Sequence, residues 1–190
     1  MAMPKILAFS GSARLESWNK KLISYSASVL RSHGATVTLI DLRDFPMPIY
    51  DGDIESGSGI PENGLKLKAL MMEHQGILIS SPEYNSEIPP LVKNTIDWIS
   101  RREPGDASRL IAFRGKVAAV MSASPGMLGG PRVRTSLRGL LSYMGMILLP
   151  EQFGLSFASK AFSEDGMLKE DSNQEMVNDM MMAMVRLVDR

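Results

Sequence analysis

The sequence contains no cysteine and only two histidines among its 190 residues. The first absence excludes disulfides, thiolate metal sites, iron–sulfur clusters and a cysteine nucleophile. The second removes any Ser-His-Asp triad or histidine-rich metal site worth defending. His33 and His74 each lie just before a helix-stopping glycine, Gly34 or Gly76, where a histidine suits the helix dipole, and both read as structural. An excess of either charge is also lacking. Lys+Arg and Asp+Glu both number 21, so nothing favours nucleic acid or an anionic membrane surface. A chain near zero net charge often associates, which fits an oligomer. Long apolar runs are missing too. The short run at residues 6–9 is less than a signal-peptide core, and no stretch approaches membrane-spanning length. Fifteen methionines without a cysteine suit a reducing cytosol, so the expected location is cytoplasmic.

What the sequence does contain is an alternation. Apolar residues make up 44% and charged residues 22%, ordinary for one globular domain of residues 1–190 with a sizeable core. Strand-like runs at residues 4–9, 35–42, 76–81, 116–122 and 146–150 alternate with helical patterns at 17–33, 61–75, 88–101, 131–144 and 172–189. Residues 43–60, rich in Pro, Gly, Asp and Ser, read as a long loop. The tail places Met176, Val177, Met180, Met181, Met184, Val185 and Val188 on one stripe, which reads as core because methionine fills irregular gaps. Five βα units predict an α/β fold, a three-layer sandwich around a five-stranded parallel sheet of flavodoxin type in the order 2-1-3-4-5. Ligands of such sheets bind beyond the carboxyl ends of the strands, near the switch between strands 1 and 3.

Three loops fall at that edge: "SGSARLESWN" (10–19), "SPEYNSE" (81–87) and "SASPGMLGG" (122–130). The first suits a phosphate. Gly11 allows a close backbone turn, Ser12 and Ser17 offer hydroxyls, Asn19 an amide and Arg14 a two-pronged guanidinium, ahead of a helix N-terminus. Its spacing is neither a P-loop nor a dinucleotide fingerprint. Equally, Ser17 can cap the helix and Arg14 can face solvent. The other two loops suit a flat heteroaromatic ring. Tyr84 can lie against it, Asn85 can bond its edge, and backbone N–H groups near Glu83 and Asn85 and from Ser124 to Gly126 can meet its carbonyls, with Gly129 and Gly130 permitting close approach. The plainer alternative has Asn85 or Ser86 capping the next helix, Pro89 in its first turn and Tyr84 merely packed.

"GSARLESWN", "PEYNSEIPPLVKNTIDWISR" and "SASPGMLGGPRVRTSLR" together resemble the NADPH-dependent FMN reductase family, the flavodoxin-like quinone, azo and chromate reductases, in order and spacing over nearly the whole chain. The resemblance implies FMN as cofactor and NADPH or NADH as co-substrate. It also implies a small-molecule electron acceptor, no nucleic-acid or membrane partner, and a homodimer or homotetramer built through neighbouring helices. Asp97 and Trp98 are then candidates for a subunit contact, or else helix-surface groups. By the same resemblance Ser10, Ser12, Arg14, Ser17 and Asn19 form the phosphate end of the site. Pro82, Glu83, Tyr84 and Asn85 line the ring, and Ser122, Ser124 and Gly126 close its far side. No side-chain acid or base is implied, since the flavin carries the chemistry. The chain departs from the family at Ser86 and near Pro90, where glycine is frequent, and at Pro131, where a small residue is usual. Arg132, Arg134 and Arg138 stay open between a solvated face, an interface and a nucleotide-phosphate dock. The rival readings are an electron-transfer flavodoxin, which resembles a different, threonine- and glycine-rich phosphate loop and is usually acidic, and a flavin-free regulatory protein.

Overall fold

A computed structural model describes residues 3–190. Three strands form the centre of the sheet: β1 (Lys5–Ser10), β3 (Gly76–Ser80) and β4 (Val117–Ala123). β2 (Thr36–Asp41) lies outside β1, so the parallel order runs 2-1-3-4-5 as the alternation predicts. The almost wholly apolar central strands are buried on both faces, as a parallel sheet covered by helices requires. Side chains alternate between two cores. Ile6, Ala8, Leu78, Ala119 and Met121 face α1 (Trp18–Ser32) and α6 (Asp171–Val188). Leu7, Phe9, Ile77, Ile79 and Val120 face α3 (Glu62–Glu73), α4 (Pro90–Ile99) and α5 (Pro131–Tyr143). α1 stops where expected. Gly34, at φ 84°, lets the amide of Ala35 reach back to the Leu30 carbonyl at 3.1 Å, a Schellman ending.

Four expectations need correction. Residues 43–60 are not all loop: a 3₁₀ turn spans Leu42–Asp44, and α2 covers Gly52–Ser58. Asp51 caps α2 by accepting from the Asp53 amide, and Glu55 binds Tyr50 Oη at 2.7 Å and Arg101 Nε at 2.8 Å. These tertiary clamps overcome the poor helix propensity of "GDIESGS". Second, the fifth strand position is shared. β5 (Ile147–Leu148) pairs with the start of β4, and β6 (Phe153–Leu155) pairs with its end, giving six strands among the described residues. Pro150, which has no N–H to give a ladder, lies in the break. Third, Met176 is exposed while Val177, Met180, Met181 and Met184 are buried, so the methionine stripe is narrower than its spacing suggests. Fourth, Trp98 is not a surface group. It is fully buried and donates from Nε1 to the Pro48 carbonyl at 2.8 Å, anchoring the loop before α2. Asp97 stays outside and pairs with Lys93.

Both histidines are structural. His74 is buried between the Leu70 carbonyl and the Thr38 hydroxyl, and His33 meets Asn178 at 2.9 Å. No cluster of three or more His, Asp or Glu with metal-binding geometry occurs among the described residues, and no described helix is long and apolar enough to cross a membrane.

Candidate functional site

The loops after β1, β3 and β4 meet in one recess of about 140 Å³, walled by Ser12, Arg14, Ser17, Asn19, Pro82, Glu83, Tyr84 and Ser124, with Trp18, Ala123 and Pro125 between them. Gly11 allows this convergence by close approach. A Cβ there would sit 2.4 Å from Val92 Cγ2 and 3.0 Å from Ser81 Oγ, so any side chain would push the first loop off α4. Beyond it, the Ser12 hydroxyl accepts from the Arg14 amide at 3.3 Å and curls the loop toward α1.

Ser17 occupies the N-cap position of α1 but makes no capping bond. An uncapped helix start directs unpaired N–H groups and the positive dipole end into the recess. Arg14 is exposed, and its Nη2 donates only to the Glu16 carbonyl of its own loop at 2.8 Å. A guanidinium, a free hydroxyl and a bare helix N-terminus around one hollow are the donor set that an anion with several oxygens needs.

Asn19 does something different from the anion contact expected of it. Its Oδ1 accepts from the Ala123 amide and from Ser80 Oγ, and its Nδ2 donates to the Ala123 carbonyl, all at 2.9 Å. The side chain thus locks the start of α1 to the ends of β3 and β4. Ser10 also stays behind the recess: it is buried, accepts from the Ser12 amide, and faces the neighbouring cavity beside Lys20 and Asp41.

The second loop is a tight turn. Tyr84 and Glu87 exchange backbone hydrogen bonds at 3.2 and 3.0 Å across Asn85 and Ser86, whose φ values are 51° and 68°. Two successive positive φ values define a type I′ turn, which favours Asn-Gly and here holds Asn-Ser. Neither residue caps α4: Pro89 takes the cap position and Pro90 begins the helix. The turn leaves Tyr84 half exposed on the rim, while Asn85 is exposed and is not among the residues lining the recess. The Glu87 carboxyl is held below its ordinary range by the Ile88 amide and the Ser136 hydroxyl.

Glu83 has a task that its sequence position does not announce. Its Oε2 accepts from the amides of Arg132 and Val133 at 2.9 and 3.1 Å, while Oε1 lies 3.5 Å from Arg132 Nη1. It caps α5 from another loop, since the residue at that N-cap, Gly130 at φ 73°, has no side chain to offer.

The third loop departs most from expectation. Ser122 is fully buried, donates to the Gly129 carbonyl and accepts from Arg134 Nη1 at 2.6 Å, so it braces the loop from behind and does not close the recess. The Ser124 amide is committed to the Leu155 carbonyl at 3.0 Å. The Gly126 amide turns to Ser124 Oγ at 3.2 Å, outside the recess lining. Gly129, at φ 63°, packs so closely that a Cβ would lie 2.8 Å from the Gly154 backbone.

The three arginines of α5 separate. Arg138 reaches the Leu149 carbonyl, Arg132 lies outside on Glu83, and Arg134 turns inward to Ser122 and Gly129. Burial lowers the Arg134 pKa from the usual guanidinium value, and its Nε is a buried donor without a hydrogen-bond partner. Such an orphan costs roughly 1–3 kcal/mol. Nothing in the sequence marked the Asn19 lock, the Glu83 cap or the Arg134 seat.

Comparisons with known proteins bear on the family and the fold. The family model described as NADPH-dependent FMN reductase matches residues 4–160. A 2-hydroxy-1,4-benzoquinone reductase of a Burkholderia species is 30% identical over 90% of this chain and 88% of its own length. An NAD(P)H-dependent FMN reductase of Pseudomonas aeruginosa is 30% identical over 98% and 96%. Among solved structures, the flavoenzyme NAD(P)H:(acceptor) oxidoreductase FerB of Paracoccus denitrificans superposes with a TM-score of 0.81 at 25% identity, covering 98% of both chains. Sheet order and kinship agree, and the chain belongs to the NADPH-dependent FMN reductase family, flavoenzymes that take their electrons from NAD(P)H.

Proposed function

We propose that residues 1–190 act as one FMN-binding domain that passes electrons from NADPH or NADH to quinones or similar small acceptors, azo compounds, chromate and free flavin being the wider candidates. The observation that carries this reading is the uncapped start of α1 beside Ser17 and Arg14, inside a hollow that all three loops share. Ser12, Ser17, Arg14 and the first amides of α1 hold the terminal phosphate of FMN. At about 140 Å³ the recess suits a phosphate and the start of a ribityl chain; a whole ligand pocket usually exceeds roughly 300 Å³, so the ring rests on the open rim. Pro82, Tyr84 and Pro125 form that rim. Asn19, Glu83 and Ser122 serve as braces that keep the three loops in register.

FMN, when bound, supplies the hydride chemistry, and the chain supplies position and access. Because the loops enclose one side, a single open face serves donor and acceptor in turn, which is a ping-pong scheme. Assembly into a cytoplasmic homodimer or homotetramer belongs to the same reading; exposed Tyr143 and Ile49 supply apolar surface for it. Two measurements test the proposal together. Apo-protein titrated with FMN and FAD should prefer FMN, and initial rates against NADPH at several quinone concentrations should give parallel double-reciprocal lines with competitive inhibition by excess quinone. Tighter binding of FAD would remove the phosphate assignment, and intersecting lines would remove the shared face.

A further inference from the structure

Arg134 is a cation without a counter-ion. No carboxylate lies within ion-pair distance of it among the described residues, and the acid nearest in influence, Glu83, is committed to the start of α5. Nη1 donates to Ser122 Oγ at 2.6 Å and to the Gly129 carbonyl at 2.9 Å, while Nε is buried with no partner. The fold makes room for this charge at a specific place. A Cβ on Gly154 would sit 1.8 Å from Nη1, so a glycine on β6 is required to seat the guanidinium against the end of β4. Ser122, which receives the guanidinium, directly precedes Ala123, and Ala123 lines the recess. A brace alone needs no unneutralised charge, since a neutral amide would meet the same hydroxyl and carbonyl.

We propose that Arg134 is a fixed positive charge placed behind the third loop to stabilise the reduced form of the flavin and so raise its reduction potential. The inference rests on FMN occupying the recess. Two-electron reduction with uptake of one proton leaves the isoalloxazine with one negative charge, shared over its N1–C2=O edge. A cation held in a poorly solvated seat near the third loop favours that form over the neutral oxidised ring. An enzyme poised this way gives its electrons to acceptors of relatively high potential, such as quinones, rather than to low-potential ones.

The test is a spectroelectrochemical titration, with a reference dye, of the FMN-loaded wild type and the Arg134→Lys, Arg134→Met and Gly154→Ala variants. Met is expected to bind oxidised FMN within about threefold of wild type and reduced FMN about tenfold more weakly, which is a midpoint lowered by about 30 mV for a two-electron couple. Lys should recover most of the difference. Gly154→Ala keeps every charge but drives Nη1 from its seat, so it should lower the midpoint as well, and it carries the test if the Met variant does not fold. Equal midpoints in all four proteins would overturn the proposal, as would a Lys variant lowered as far as Met. A wild type that binds no FMN would instead refute the reading of the recess, and this inference with it.

Discussion

Replacing Glu83 by alanine should loosen the site by unfolding pressure on α5 rather than by loss of a ligand contact. The Glu83 side chain is about 15% exposed, so its bonds are not heavily screened. Its Oε2 holds the second and third amides of α5, at 2.9 and 3.1 Å. Losing a side-chain cap costs about 0.5–2 kcal/mol, and losing the negative charge at a helix N-terminus about 0.3–1 more. The contact to Arg132 at 3.5 Å adds little, because that side chain is 60% exposed. The sum is about 1–3 kcal/mol for Glu83→Ala. For a chain of this size each kcal/mol moves the midpoint by about 2–4 °C, so Tm should fall by roughly 2–12 °C. Glu83→Gln keeps an oxygen for both amides and loses only the charge, so it should fall by about 1–4 °C. Thermal unfolding of the apo-protein followed by circular dichroism reads the order directly. FMN affinity should fall in the same order, because the second and third loops are joined through this carboxylate. A Glu83→Ala protein melting within a degree of wild type would refute the cap, and so would a Gln variant as unstable as Ala.

Ser86→Gly should raise Tm by about 1–4 °C. A left-handed serine costs about 1–2 kcal/mol, of which the added freedom of glycine in the unfolded chain takes back about 0.5–1; a lower Tm would contradict the turn geometry. Gly11→Ala should cost about 1–3 kcal/mol by urea unfolding and weaken FMN binding, because its Cβ has no room beside Val92. Gly126→Ala, with its nearest atom 3.6 Å away, should stay within about 0.5 kcal/mol, so equal effects at the two glycines would remove the close-approach argument. Arg14→Ala should raise the FMN dissociation constant about tenfold to a hundredfold by fluorescence titration, and an unchanged constant would put the phosphate elsewhere. Finally, the Lys68 ammonium at 2.6 Å and the Glu103 amide hold the Asp106 carboxyl below its ordinary pKa. A depressed carboxyl contributes stability that is present above its unfolded value of about 4 and lost as pH falls through the folded one. The stability gap between wild type and Asp106→Asn should therefore shrink below about pH 4, and a gap independent of pH would show that the ionised pair contributes nothing.

The architecture was legible because periodicity survives burial. Runs such as "KILAFS" and "VAAVMSA" have no other use than as central strands, and the spacing of Leu22, Ile23, Ala27 and Leu30 permits only a helix packed on one side. Where the sequence misled, the deciding partner was remote. α2 forms because Arg101 clamps Glu55 within it and Asn94 holds Tyr50 just before it, and Trp98 turns inward because the Pro48 carbonyl is waiting. In the site, residue type indicated the loops, but the direction of each side chain could not be read from it. Asn19, Glu83 and Ser122 have the same hydrogen-bonding groups whether they face a ligand or one another. Asn19 and Glu83 find their partners 104 and 49 residues away, distances at which a single sequence shows no pattern, and Ser122 bonds a loop carbonyl seven residues on with no regular element between to set a period.

Asn19 links folding to the making of the recess. Its one amide joins the first turn of α1 to segments 61 and 104 residues further on, so the hollow exists only after three distant parts of the chain have docked. Contacts of that span close late, since their loop entropy is overcome only when the intervening elements are already in place. With FMN seated in the recess as proposed, flavin capture during refolding should therefore mark the final assembly step and not an early collapse. A partly folded chain, however rich in helix and strand, has no cradle to offer, so the colour of the holoprotein is a gauge of its completeness.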